Sequence, residues 1–173
     1  MDNFAEQLVK RAETSSDKTR KTALLVVGIL LTAALAGFAV LQLGSPITAF
    51  VGLLLAAGAG YGTFFMYRNS YIEYEYAFTN GELDIDKITG KTKRTSMVSA
   101  EVRSFTAFGK YDENMKETEE MTVVLASDNI AEHEYYADFT HAEHGKTRLI
   151  FAPDERMLEN IRKSLPAALR LQK

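Results

Sequence analysis

Three hydrophobic patterns follow one another along the chain, and each predicts a different element. Residues 22–67 form an unbroken apolar block of 46 positions without Asp, Glu, Lys or Arg. It divides at Leu43-Gly44-Ser45-Pro46 into two runs, 22–43 and 47–67. At roughly 1.5 Å of rise per residue each run reaches about 30 Å, the thickness of a hydrocarbon layer, which predicts a transmembrane helical hairpin. From Tyr71 the period changes to two: Ile72, Tyr74, Tyr76 and Phe78 alternate with Glu73, Glu75 and Ala77, as in a half-buried strand. Near the end, Met157, Leu158, Ile161 and Leu165 make the stripe of an amphipathic helix, with Pro153, Asp154 and Glu155 at its start and Pro166 at its stop.

The period-two region predicts about seven strands. Thr79-Asn80-Gly81-Glu82 is a hairpin turn, since both central residues tolerate positive φ. Leu83 and Ile85 continue on the returning strand, and Thr89-Gly90-Lys91 turns into a strand near 92–98. Further strands are expected at 102–108, 121–126, 133–139 and 147–151. The predicted fold is therefore an α+β membrane protein: a segment at 1–21, the two-helix hairpin at 22–67, a β-domain with a C-terminal capping helix at 70–166, and a tail at 167–173. Phe4, Leu8 and Val9, with Lys10 and Arg11 beside them, suggest a short interfacial helix within residues 2–17.

Charge placement supplies an orientation. Lys10, Arg11, Lys18, Arg20 and Lys21 precede the first apolar run and Arg68 follows the second, whereas the connecting turn has no cation. Both termini are therefore expected in the cytoplasm, in a cell membrane crossed twice. A cleaved signal peptide ending at Ala34-Leu35-Ala36 fits less well, because the apolar run is too long and a second one follows. The absence of cysteine agrees with a reducing compartment. Gly52, Ala56 and Gly60, four residues apart, mark a face on which helices approach closely, either within one hairpin or between two copies. The two runs hold no charged group, which argues against an ion or proton pathway.

The segment YEYAFTNGELDIDKITGKTKR, with MDNFAEQLVKR at the start and LIFAPDERMLENIRKSLP near the end, resembles a family of small two-helix membrane proteins of Gram-positive anaerobes that carry a bacterial pleckstrin-homology-like domain. The resemblance implies seven antiparallel strands with a C-terminal helix, and it brings no activity or catalytic residues with it.

Chemistry is sparse. Without cysteine, a phosphate-cradling glycine loop or a nucleophile elbow, no catalytic residues, cofactor or metal are expected, and an enzyme is not the expectation. His141-Ala142-Glu143-His144 reads as a solvated turn, Glu82, Asp84 and Asp86 as the wet face of a strand, and Asp112–Glu120 as a loop. Residues 68–173 carry 15 basic and 19 acidic side chains, a balance of −4. Within them, 87–110 hold Lys87, Lys91, Lys93, Arg94, Arg103 and Lys110 against Glu101 alone, a local balance of +5. Lys87, Lys91, Lys93 and Arg94 are the candidate contacts for anionic lipid headgroups, with Lys91 and Lys93 on one strand face. Two functions follow: a membrane-anchored scaffold or interaction module that binds a protein or another copy of itself, and an anionic-lipid-responsive or envelope-stress accessory protein using the 87–94 hairpin. The bilayer is a partner in both, and nucleic acid in neither.

Overall fold

The computed structural model describes residues 3–112, 114, 115 and 120–170. They form two compact units, one made of the described residues before Glu13 and after Tyr71, the other of residues 13–71.

The first unit holds eight strands among the described residues: β1 Phe4–Lys10, β2 Ile72–Thr79, β3 Glu82–Thr89, β4 Lys93–Glu101, β5 Ala107–Lys110, β6 Thr122–Ala126, β7 Tyr135–His141 and β8 Gly145–Phe151. They build two four-stranded sheets, ordered β1-β2-β3-β4 and β5-β7-β8-β6. The first is antiparallel throughout. In the second, β6 runs parallel to β8, which corrects the expectation of a purely antiparallel fold.

β1 lies where the sequence reading placed an interfacial helix. Phe4, Leu8 and Val9 have helical spacing, but the segment is a strand that buries Ala5 and Val9 and exposes Phe4 and Leu8. Its seven residues pair with β2 from Phe4↔Thr79 to Lys10↔Glu73. The period-two signal is interrupted by Gln7, a polar residue on the inward side. That side chain is satisfied by backbone: its Nε2 donates to the Ala152 carbonyl at 2.9 Å and its Oε1 accepts the Asp154 N–H at 2.8 Å. The β-unit therefore does not begin at residue 70, and the segment 1–21 is divided between the two units.

Turn chemistry shapes the rest of the first sheet. Asn80 and Gly81 take φ of 52° and 102°, as a two-residue hairpin requires, and Gly90 and Lys91 take 60° and 63°. Lys91 is thus a turn residue, correcting its assignment to a strand face shared with Lys93. A register shift between Ile85 and Asp86 leaves Met97 as a bulge in β4. The stretch 102–108, expected as a strand, opens with a 3₁₀ turn at Val102–Ser104 before β5.

Between the sheets lies one apolar core that includes Tyr76, Phe78, Leu83, Ile85, Val98, Leu149 and Phe151. Helix α3, Glu155–Ser164, adds Met157 and Ile161 to it, and Leu165 follows just beyond. Its N-cap is Asp154, which accepts the Met157 N–H at 2.7 Å. A short α4, Ala167–Arg170, comes after Pro166. The Tyr76 hydroxyl donates to the Ala126 carbonyl and accepts the Ala152 N–H, and burial pushes its pKa above the ordinary tyrosine value.

The second unit is an antiparallel pair of helices, α1 Ser15–Leu41 and α2 Pro46–Asn69, joined by four residues. Both are long and apolar enough to cross a membrane. Thr14 and Asp17 close a capping box at the start of α1, and Pro46, expected in the break, is instead the first residue of α2.

The β1–β2 ladder makes a specific prediction. A fragment beginning at residue 70 lacks β1 and two buried side chains, a loss of several kcal/mol against a domain stability of about 5–15 kcal/mol. It is expected to show no cooperative unfolding transition. Joining residues 1–10 to 73–173 through an Asn-Gly turn is expected to restore one, because Lys10 and Glu73 are already neighbours across the ladder. Circular dichroism melts of the two proteins check this.

Candidate functional site

The strand register sorts the side chains of the first sheet into rows. Residues opposite one another share a face, so the outward rows run Phe4–Thr79–Glu82–Glu101, Glu6–Ala77–Asp84–Ser99, Leu8–Glu75–Asp86–Ser96 and Lys10–Glu73–Ile88–Arg94. This face presents Glu6, Glu73, Glu75, Glu82, Asp84, Asp86 and Glu101, seven carboxylates, against two cations, Lys10 and Arg94. Arg94 is engaged by Glu75, at 2.8 Å from Nη1 to Oε2. Among the acids two apolar side chains stand free of the core, Phe4 at 46% exposure and Leu8 at 53%. The row Glu82, Asp84 and Asp86 was visible as an alternation. Its extension through Glu6, Phe4 and Leu8 was not, because it exists only once β1 pairs with β2.

The candidate lipid-contacting cations occupy one end of the same sheet. Ile72 pairs with Thr89, and Thr89 with Lys93, so the β3–β4 turn with Lys91 lies beside the end of β1 and the start of β2. The chain runs to and from the helices at this end. Lys93 and Arg94 open β4, whereas Lys87 sits opposite Tyr74 and Thr95 on the inward side and is only half exposed. The four cations share a sheet end but not a single face.

Other charged groups are held in structural pairs. Arg148 grips Asp138 through Nε and Nη2 at 2.7 and 2.6 Å and lies over the Tyr136 ring. His141 and His144 stack with ring centres 4.8 Å apart, and among the described residues no three His, Asp or Glu side chains are gathered to hold a metal ion. Asp112 has its carboxyl pKa lowered, first by the Asn114 backbone N–H. The remainder of the expected acidic loop lies largely outside the described residues.

In the helical unit, the buried positions are Gly28 and Ala39 on α1 and Ala49, Gly52 and Ala56 on α2. Gly52 meets Ala39: a Cβ built there would lie 2.8 Å from the Ala39 Cβ and 3.1 Å from its backbone. At Gly28 it would lie 2.2 Å from the Thr63 side chain. Gly60, the third candidate, is half-buried and at ordinary contact distance, 3.7 Å, from Thr32. The Gly52–Ala56–Gly60 face therefore packs one helix of the hairpin on the other. A Cβ built at Gly37 or Gly58 would meet nothing within 4 Å beyond its own helix backbone and chain neighbours, among the described residues.

These contacts separate two kinds of glycine. Gly28→Leu is expected to destabilise the hairpin by about 1–3 kcal/mol through overpacking, read as a lower thermal midpoint in detergent. Gly58→Leu is expected to leave that midpoint unchanged, and a loss of dimeric species on Gly58→Leu would place a seam between copies there instead.

A family model described as Bacterial PH-like domain (DUF6106) matches residues 1–171, a span that includes β1, both long helices and the rest of the β-unit. No curated protein and no solved structure matched the chain. The chain belongs to this bacterial PH-like family.

Proposed function

From a bacterial PH-like domain whose first two strands bracket a pair of long apolar helices, we propose a membrane-anchored interaction module. The α1–α2 hairpin crosses the bilayer twice, and the β-unit is held at the cytoplasmic face, where the acidic face of its first sheet docks a basic protein partner.

One observation carries the anchoring. A helix buried in a soluble core hides its large side chains, but here the positions hidden are small, while Leu30, Phe50 and Leu53 remain 64%, 62% and 55% exposed. Side chains of that size, repeated around both helices, suit an apolar solvent. Aromatic and cationic groups gather at one end of the pair: Tyr67 meets Tyr71 edge to face at 5.7 Å, and the Lys21 ammonium lies 3.9 Å from the Tyr71 ring centre. Such groups suit a headgroup layer, and the cations at this end support the cytoplasmic orientation.

The docking face is argued from charge. Seven carboxylates around Phe4 and Leu8 repel an anionic leaflet and attract a basic surface, and the two apolar side chains supply area that is desolvated on contact. A second reading is favoured by the placement of Lys91 and Lys93 at the sheet end nearest the helices in the chain, where a cytoplasmic leaflet would meet them. The two readings use different residues and are compatible.

The lack of cysteine permits a direct test of the anchoring. With Gly44→Cys in the helix turn and Ala168→Cys in α4, an impermeant thiol reagent applied to intact cells is expected to label only the first. Labelling of both, or of the second alone, rejects the proposed topology. Docking is tested by crosslinking the full chain in its native membrane. Asp84→Lys with Asp86→Lys is expected to reduce specific protein capture at least tenfold, and Lys91→Glu with Lys93→Glu to leave it intact. The reverse pattern assigns recognition to the lysine turn, and capture unaffected by either pair removes both faces from consideration.

A further inference from the structure

At the end of the first sheet opposite the lysine turn there is a polar basin that neither reading above employs. Asn80 and Gly81 form the β2–β3 turn, the Asn80 N–H is bonded to the Asn3 carbonyl at 2.9 Å, and the Val102 N–H to the Gly81 carbonyl at 2.8 Å. These bonds hold Asn3 and the 3₁₀ turn of Val102–Ser104 to the β2–β3 turn, and the last turn of α3 lines the same basin. The resulting basin has a volume of about 460 Å³ and is lined by Asn3, Asn80, Arg103, Lys163, Ser164 and Arg170, with Leu165 and Pro166 completing its wall. Its volume lies within the range of small-ligand sites.

Three cations and no carboxylate line it, in a chain of net charge −3. Arg103 and Arg170 have no carboxylate within 4 Å among the described residues. Lys163 has only an exposed surface pair with Glu159 at 2.8 Å, an interaction that yields readily to a stronger acceptor. The C-terminal end of α3 would by itself repel an anion, but the Arg170 Nε donates to the Leu165 carbonyl at 2.7 Å and offsets that end. The two terminal guanidinium nitrogens of Arg170 are not used in that bond. Asn80 Oδ1 already accepts the Asn3 N–H, which leaves its amide nitrogen as a donor. The basin is thus lined by donors with no carboxylate among them, and of its three cations only Lys163 has an ion pair among the described residues, with Glu159.

We propose that this basin binds the phosphate group of a small phosphorylated molecule. Guanidinium forks match phosphate oxygens in geometry, a compact ammonium adds charge, and neutral amide and hydroxyl donors fix orientation. The same chemistry is offered by a water-borne phosphate and by a lipid headgroup. The eight residues of β2, at about 3.3 Å each, separate this basin by roughly 25 Å from the sheet end that leads to the helices. That separation favours the water-borne source.

The test uses the full chain in phosphatidylcholine nanodiscs, titrated with inorganic pyrophosphate by calorimetry. Saturable binding is expected, weakened at least tenfold by Arg103→Gln with Arg170→Gln and unchanged by Lys91→Glu with Lys93→Glu. Arg103 and Arg170 are both exposed, so an unaltered thermal midpoint checks that the double variant is folded. A second arm repeats the titration in discs containing phosphatidylglycerol. Undiminished binding there assigns the phosphate to solution, and competition assigns it to a headgroup. Absence of saturable binding in the phosphatidylcholine discs, or full affinity in the arginine double variant, overturns the proposal. Neither result bears on the acidic docking face, whose residues lie outside the basin.

Discussion

The hydrogen-bonded ladder between β1 and β2 is the constraint on which the rest of this molecule depends. Two strands separated by about sixty residues are adjacent and antiparallel from Phe4↔Thr79 to Lys10↔Glu73. Everything between them is therefore an insertion into what would otherwise be a simple hairpin turn. Closing so long a loop costs entropy, yet the cost grows only logarithmically with length, and a preformed helix pair shortens the effective loop to its two connections. The insertion is tolerable because α1 and α2 pack on each other through Gly28, Ala39, Gly52 and Ala56 and bring their own ends together. The β-unit supplies the complementary condition, since Lys10 and Glu73 are already neighbours. Two pieces that each present paired ends can be joined without strain in either.

Charge segregation follows from this arrangement. The sheet has one end committed to the helices, one free end and one outward face, and each carries a distinct set of side chains. Lys91 and Lys93 stand at the committed end, Arg103 and Arg170 beside the free end, and the carboxylates of β1, β2 and β3 spread over the face between. The net charge of the chain averages these away. At physiological ionic strength, where charges more than about 8 Å apart are largely screened, each set acts locally. A face, an end and a basin on one small β-unit can then attract partners of opposite sign without cancelling.

Much of this was legible in the residues, and the reasons for the failures are specific. The apolar block at 22–67, the Asn80-Gly81 turn and the stripe of Met157, Ile161 and Leu165 are local signals, and they became a pair of long apolar helices, a hairpin turn and an amphipathic helix. β1 failed because Gln7 faces inward, where alternation demands an apolar residue, and its justification is a pair of bonds to Ala152 and Asp154 some 145 residues away. Lys91 failed because it was placed on a strand face with Lys93, whereas its φ of 63° keeps it in the turn. The parallel pairing of β6 failed because TVVLA reads equally well in either direction, and at the sheet edge it leaves Val123 and Leu125 partly exposed rather than buried. The acidic face was half visible: the β3 row is an alternation, but the rows across strands are a property of register, which no single segment encodes.

Two covalent attachments also change what a tether does. A domain held by one flexible linker samples all orientations, and its binding faces are presented at random. Here β1 ends at Lys10 and α1 begins at Ser15, while α2 ends at Asn69 and β2 begins at Ile72. At no more than about 3.6 Å per residue, connections of four and two residues leave little slack. Both enter neighbouring strands, so the β-unit is joined to the helices by two connections rather than one. For the proposed membrane-anchored module, a second connection lowers the orientational entropy lost on docking relative to a single linker, a gain in affinity that needs no additional contact at the docking face.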